Sequence, residues 1–557
     1  MKKNIMKMLP LSLALVIACV GCTNKDGNKD VNKADKADTT IDEVENVTDE
    51  DSNASNEDEH EDVNESSNVD LKFLIQNKSC YIYKEEDSYD PLCHDSYELI
   101  HLSDEAKAAY PALSDALDAF NKKQEEDSKE SFSQIQSDAR EWYDSADDKS
   151  TFYECYQEEN IEVLRADKHY LSVRVNFEDY MGGAHGTYGS GGYNFDVKSG
   201  KELELLDVIT DIDGLRTVVK DKLFEKYGEY AEEFTDLDAS ISEYLTGKAD
   251  QGCSWFITPD GIDVYFGIYM LGSYAAGTQT VSIMYDENPE LFADGFCKVE
   301  GNYAETINVW DGLSSDLDGD GTVDKLEIKP EYDEGEWINK VDFVINGNSN
   351  LVEAYGYEIK PYLVKVGGNT FVFVEMLEEN DYRMTASYRI NGNVVEKVGE
   401  YNGYITDVLP EPDYGSEWTS YWRSAFVSPD DIYLGDTVQI FCTHTGIAKA
   451  YINENGELML SDNYYYALKY NSEKSITTKT DIAAMIVDKD SLEVTEENAT
   501  IPSGTKISIF GTGPNNVVDI EAEDGTIYRV SVKSDDWPQT IDGEDIENLF
   551  DGILFAG

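Results

Sequence analysis

Positive charge is what this 557-residue chain has least of: 44 Lys and Arg stand against 113 Asp and Glu, a formal net charge of −69. That balance excludes nucleic acid as a partner, because phosphate binding needs clustered Lys and Arg. A basic protein, a divalent cation or simple solubility are the roles left to so acidic a surface. Cysteine is also sparse. The six beyond the N-terminal leader, Cys80, Cys93, Cys155, Cys253, Cys297 and Cys442, show no paired C-x-x-C spacing and so no zinc pattern. After Asp294 the only histidine is His444. The one greasy stretch at the start, Leu9 to Ile17, is about half the roughly 20 residues a bilayer-spanning helix requires.

What is there begins with that leader. Lys2, Lys3 and Lys7 precede the apolar run, which ends in Val16-Ile17-Ala18-Cys19 with Cys22 three residues on. A charged start and a short apolar run read as a signal peptide over residues 1–22. The aliphatic-x-small-Cys ending resembles the bacterial lipoprotein box, which implies acylation of its cysteine. Cys19 fits that box better, since Cys22 would place another cysteine at its third upstream position; Cys22 is the alternative, and a plain secretory signal the other reading. Residues 23–70 follow with 17 Asp or Glu, 4 Lys and no aromatic residue. Such a stretch cannot bury enough apolar surface to offset chain entropy, so it is expected to be a disordered acidic spacer. The protein is thus expected to be exported, held at the outer face of the cytoplasmic membrane by a lipid anchor only.

Nearly 490 residues remain, enough for about three domains at roughly 150 residues each. The pattern predicts an α+β N-terminal body over 71–294, followed by a mainly antiparallel all-β region over 303–533. In the first body, Pro111 stands at a helix start, with Leu113, Leu117 and Phe120 at helical spacing. The period drops to two in Tyr170 to Phe177, and a second helical region covers Gly214 to Leu245. In the second, Asn346-Gly347, Asn391-Gly392, Asn402-Gly403, Asn455-Gly456 and Asp524-Gly525 are hairpin-turn dipeptides between alternating runs. A sandwich, an incomplete propeller or two small β domains all satisfy that pattern. A small closing barrel is expected from about residue 501, and a C-terminal tail over 534–557. Export permits disulfides, with Cys80 and Cys93 the nearest local pair; free buried thiols are the equal alternative.

Two segments carry candidate chemistry. Asp316, Asp318, Asp320, Thr322, Asp324 and Glu327 occupy positions 1, 3, 5, 7, 9 and 12 of a loop with Gly321 at position 6. That spacing wraps oxygen ligands around Ca²⁺, with Thr322 offering its carbonyl. No amphipathic helix precedes the loop and a strand follows it, so it resembles the DxDGDG loops of extracellular β domains rather than an EF-hand. A structural calcium ion is expected there, a metal-free acidic turn being the alternative. The second segment is Met181 to Gly189, where Gly182, Gly183, His185, Gly186 and Tyr188 are ligand-binding candidates. The plainer reading gives the glycines a conformational role beside a hydrogen-bonded His185.

Gly182-Gly183-Ala184-His185-Gly186, with Tyr193-Asn194-Phe195-Asp196 and Gly200-Lys201-Glu202-Leu203, resembles the extracytoplasmic domain of RsiV-type anti-sigma factors. It is equally similar to the N-terminal portion of PdaC-type peptidoglycan deacetylases. Trp255-Phe256-Ile257, Gly261-Ile262, Tyr269 to Gly277, Val281-Ser282-Ile283 and Tyr110-Pro111 extend the likeness over about Leu99 to Asp294. The resemblance implies a binding domain outside the membrane, which in the RsiV type takes lysozyme. It does not imply catalysis, because the deacetylase chemistry of the PdaC type resides in a separate domain with Asp and His metal ligands. The leading expectation is a non-enzymatic, lipid-anchored binding protein for a lysozyme-like or other envelope protein. A cell-wall glycan, stacked on Trp310, Trp337, Trp418, Trp422 or Trp537, is the second, and an envelope hydrolase the third.

Overall fold

Alternating apolar residues after Leu71 form a hairpin of β1 (Phe73–Tyr83) and β2 (Pro91–Leu102), Pro91 opening the second strand where a missing N–H is tolerated. The computed structural model describes residues 70–555 except 86–87, 229–233, 235–236, 246–253, 310, 334–336, 380–381, 411–412, 416 and 469–475. The leader, spacer, Cys19, Cys22, Cys253 and Trp310 lie outside the described residues. Residues Asp70–Gly557 form one compact unit.

A 35-residue helix, Pro111–Ser145, buries one stripe through Leu113, Leu117, Phe120, Phe132, Ile135 and Ala139. It returns the chain so that β3 (Cys155–Ala166) runs parallel to β2, as a helical crossover allows and a tight turn does not. Then β4 (Tyr170–Tyr180) and β5 (Thr187–Asp196) extend the sheet as an antiparallel meander. A smaller sheet of β6 (Ser254–Ile257), β7 (Gly261–Phe266) and β8 (Gln279–Met284) is covered by helices Ile212–Tyr227 and Leu237–Leu245. Leu215, Val219, Leu223 and Ile241 meet Val264, Phe266, Val281 and Ile283 in that core. The α+β expectation holds.

The β region is a sandwich joined to a second β unit. One layer is β10 (Leu313–Ser315), β11 (Asp324–Tyr332), β12 (Ile338–Ile345) and β13 (Asn348–Gly356). The other begins with β9 (Tyr303–Thr306) and continues through β14 (Glu358–Val366), β15 (Asn369–Leu377), β16 (Arg383–Asn391) and β17 (Val394–Asn402). Leu326, Phe343, Val372 and Tyr388 fill the space between them. The second layer is apolar on both faces: Val364, Phe371 and Phe373 pack on Ile432, Leu434, Ala450 and Ile452 of the next sheet. That sheet starts at β18 (Tyr404–Thr406) and includes Lys506–Gly513, Val517–Ala522 and Ile527–Ser531. No separate barrel therefore begins near residue 501. Nor are residues 534–557 a tail, since Ile541, Ile546 and Phe550 are buried and Phe550 pairs with Thr478.

The turn dipeptides act unequally. Asn346-Gly347 is a two-residue hairpin turn, with both residues at positive φ, 50° and 78°. Asn391 pairs with Val394, which moves that turn to Gly392-Asn393. Asn402-Gly403 is no turn: at Gly403 the chain leaves β17 for another sheet, and a Cβ there would lie 2.1 Å from the Gly435 carbonyl oxygen.

One excursion of the β region crosses back to the first body. β19 (Asp413–Tyr414) and β20 (Thr419–Ser424) add to the open edge of β1, giving the sheet order β19-β20-β1-β2-β3-β4-β5. Trp418 packs edge-on to Tyr97 and Phe132 on the helix side, and Trp422 lies beside His101. On the opposite side, Arg423 clasps Glu98 with two hydrogen bonds of 2.9 and 2.7 Å. The β2–β3 pairing ends at Ser96 and Glu158. Beyond that point Glu98 accepts from the Ile161 N–H, and Arg423 donates to the Ile161 carbonyl, so the ion pair substitutes for the lost strand bonds.

Candidate functional site

Side chains alternate along a strand, so directly paired residues on neighbouring strands share a face at about 4.8 Å spacing. Tyr81 on β1 pairs with His94 on β2, His94 with Tyr156 on β3, and Tyr156 with Tyr180 on β4. Four rings thus stand in a row across four strands, on the sheet face opposite the long helix. Their centroids are 5.0, 5.4 and 6.2 Å apart, with interplanar angles of 21°, 13° and 32°. Stacking is close at the His94 end and opens toward Tyr180.

Glu154 and Glu158 flank Tyr156 at the same alternation and grip the imidazole between them. His94 Nδ1 lies 2.6 Å from Glu154 Oε1 and Nε2 lies 2.8 Å from Glu158 Oε1. Burial opposes the imidazolium, but the hydrogen bonds to Glu158 and Glu154 outweigh it and raise His94 above its ordinary value. The His94 bond in turn lowers the Glu158 carboxyl. Both ring nitrogens face carboxylates, an arrangement that favours the imidazolium, in which both donate. The Tyr156 hydroxyl donates to Glu178 at 2.7 Å. Around one imidazolium the row therefore gathers three carboxylates.

The glycine-histidine segment borders this row. The Tyr180 hydroxyl donates to the Gly183 carbonyl at 3.2 Å. His185 stacks on Tyr274 at 3.7 Å, and Tyr188 and Tyr269 approach the same ring at 6.0 and 5.8 Å. Tyr269 holds φ at 67°, an uncommon and strained conformation for a bulky residue that directs attention to this corner. The glycines have backbone reasons. Gly182, at φ 83°, lies where a Cβ would sit 2.6 Å from the Trp142 ring, and at Gly186 a Cβ would meet the Asp179 carbonyl at 2.3 Å. Tyr81, Tyr83, Tyr153, Tyr188 and Tyr269 are all exposed, and together they make this surface tyrosine-rich and acidic.

The acidic loop brings together fewer residues than its spacing suggested. Carboxylate oxygens of Asp316, Asp318 and Asp324 lie within 4.8 Å of one another. Asp320 is instead bonded to the Thr322 amide and hydroxyl. Glu327 turns away to Lys325 and Lys329, at 2.6 and 2.7 Å, because β11 places it on the exposed face between Leu326 and Ile328. Glu327 is removed from the ligand set. The Asp324 carboxylate also accepts from the Leu317 amide and from Asn346, which fix its orientation.

Other expected sites disperse. Cys80 and Cys93 are free thiols: Cys80 pairs with Asp95 and Cys93 with Ile82, which makes them diagonal neighbours rather than a bridged pair. Cys93 instead aligns with Cys155 across the parallel strands. Among the described residues the candidate tryptophans form no common platform. Trp418 immediately precedes β20 and Trp422 lies on it, Trp337 stacks on Tyr355, and Trp537 lies edge-on to Phe555. What sequence reading missed is the ring row. Its signal was present in the strand alternation Glu154-x-Tyr156-x-Glu158, but the register to Tyr81 and His94 depends on a long-range crossover.

Residues 103–188 match the family model described as "Deacetylase PdaC", and residues 211–286 the one described as "Protein of unknown function (DUF3298)". The His185–Tyr274 stack joins the two matched segments, whereas the acidic loop lies outside both. A DUF3298 family member from Bacteroides fragilis is 20% identical, covers 40% of this chain and 94% of its own, and has a TM-score of 0.31. A DUF3298 family protein from Pseudomonas aeruginosa is 14% identical, covers 42% and 99%, and has a TM-score of 0.26. No curated protein matches. Both matched segments lie within the first body, which is therefore similar to the two families in succession. No helix among the described residues is long and apolar enough to cross a membrane.

Proposed function

We propose that this PdaC/DUF3298-type body is the receptor part of an exported, non-enzymatic binding protein that holds a cationic envelope protein, of lysozyme-like chemistry, against its tyrosine face. The observation that carries this reading is the Tyr81–His94–Tyr156–Tyr180 row with Glu154, Glu158 and Glu178 around it. Tyrosines give contact area at little entropic cost, and clustered carboxylates steer a basic partner. Ring faces in the row are turned to one another, which favours contact by edges and hydroxyls over sugar stacking. A lipid on Cys19, with Cys22 the alternative, tethers the receptor; loss of detergent-phase partitioning in Cys19→Ala is the matching observation.

Calorimetry of the chain lacking residues 1–22 against lysozyme tests the reading. Complex formation is expected at 50 mM salt, at least about tenfold weaker at 300 mM, and absent with succinylated lysozyme, whose amines have become carboxylates. No complex with native lysozyme at low salt removes it. The fragment Leu99–Asp294 is unsuitable for this test, because it lacks β1 and most of β2.

Calcium at Asp316, Asp318 and Asp324 is a second proposal. These three carboxylates repel one another without a cation, and an ion between them pins the entry to β11. A Kd of about 10⁻⁴ to 10⁻³ M gives a stabilisation of about 1.4 to 2.7 kcal/mol at 10 mM calcium. Thermal unfolding with and without calcium measures it, and Asp318→Asn should abolish the difference. Equal midpoints in the parent chain would reduce the loop to an acidic turn.

A further inference from the structure

At the open end of the ring row lies a pocket of about 430 Å³, lined by His94, Tyr153, Glu154, Tyr156 and Tyr180. Tyr156 and Tyr180, whose rings are tilted by 32°, both line it. Tyr153 is 75% exposed, and among the described residues it has neither a ring contact nor a hydrogen bond. An aromatic ring of that size left in water at the mouth of a pocket is a contact surface in waiting. Glu154 spends one oxygen, Oε1, on His94; its Oε2 has no donor among the described residues. The only cation in the lining, His94, is matched by Glu154 and Glu158 together, so the local balance stays negative.

From the uncommitted Tyr153 ring and one half-committed carboxylate, we infer that this pocket takes the cationic head of an arginine or lysine side chain presented by the basic partner. The inference rests on the reading above and deepens it. A ring's negative face attracts an organic cation within about 6 Å of its centroid, and the attraction grows as water is excluded. Glu154 Oε2 supplies the charge-assisted hydrogen bond that a ring alone lacks. Guanidinium is favoured over ammonium, since it stacks on a ring while donating in its own plane.

The test is titration of the chain lacking residues 1–22 with an acetylated, amidated hexa-arginine peptide. The same peptide with citrulline at every position, an uncharged isostere, is the control. Tyr153→Ala and Glu154→Gln are each expected to weaken hexa-arginine binding by roughly three- to thirty-fold. Glu496→Gln, in the last sheet, removes the same charge elsewhere and should leave binding unchanged. Tyr153→Ala must retain the parent's unfolding midpoint; if it does not, Tyr153→Ser and the Glu154→Gln titration decide. Equal affinity for the parent and both pocket variants overturns the inference, since bulk charge alone would then hold the peptide, while lysozyme binding could persist. Equal affinity for the citrulline peptide also overturns it. Binding of free argininamide as tight as that of the peptide assigns the pocket to a small molecule and overturns the protein source.

Discussion

Arg423→Ala is expected to lower the unfolding free energy by roughly 2 to 3 kcal/mol, below the range for a fully buried ion pair because only the Glu98 side is sealed from water. Glu98 is 6% exposed and receives Arg423 at 2.9 and 2.7 Å, with the Ile161 amide at 2.6 Å. Without the guanidinium its charge has one backbone donor left, and the Ile161 carbonyl loses a donor as well. The loss exceeds that of a fully exposed pair because the Glu98 side chain is 7% exposed, although Arg423 itself is 34% exposed. Arg423→Met combined with Glu98→Gln removes both charges and should recover much of the loss. Urea unfolding of the two single variants and the pair measures this. A single-variant cost below about 1 kcal/mol would mean that the edge strand is held by its backbone bonds alone.

The second large effect is a stability that falls as pH rises. Burial, with Asp95 and Asp127 nearby, pushes the Glu159 carboxyl up from 4.5 to about 7. Burial likewise raises Asp95 to about 6, against hydrogen bonds from Ser128 and Gln157. Both lie beneath the long helix, where Gln124 donates to Glu159 at 3.1 Å. The folded chain holds these protons more tightly than the unfolded one, so their stabilising contribution is complete below pH 4 and is lost as pH climbs through 6 to 7. For Glu159 the loss reaches at most about 3 kcal/mol. Glu159→Gln keeps the bond to Gln124 and should flatten the profile, gaining up to that amount at pH 8 and little at pH 4. An unchanged slope between pH 5 and 8 in this variant would exclude Glu159 as its source.

Local signals carried much of the architecture. Pro111 with the Leu113-Leu117-Phe120 spacing marked the long helix, and the Tyr170 to Phe177 alternation marked β4. The residues that failed did so where a distant partner decides. Asn402-Gly403 has the composition of a hairpin turn but serves as a sheet exit, because Gly435 approaches it from another sheet. Trp418 and Trp422 suggested a sugar platform, yet β1 recruits their strand from over 300 residues away. Glu327 satisfied the loop spacing, but strand alternation gave it to two lysines. Beside the ring row, the Gly182–Tyr188 segment was legible through its glycines. His94, at the centre of the row, was not, since only the β2–β3 crossover sets it beside Tyr156.

β1 is the first strand after residue 70, and it is bonded on both sides, to β2 and to β20. Tension applied from the N-terminal side pulls along this strand, in shear. Its hydrogen bonds to two neighbours then resist together instead of peeling one by one. The first strand of the described fold is thereby bonded to a segment more than 300 residues later in the chain, and force entering there is shared by both bodies.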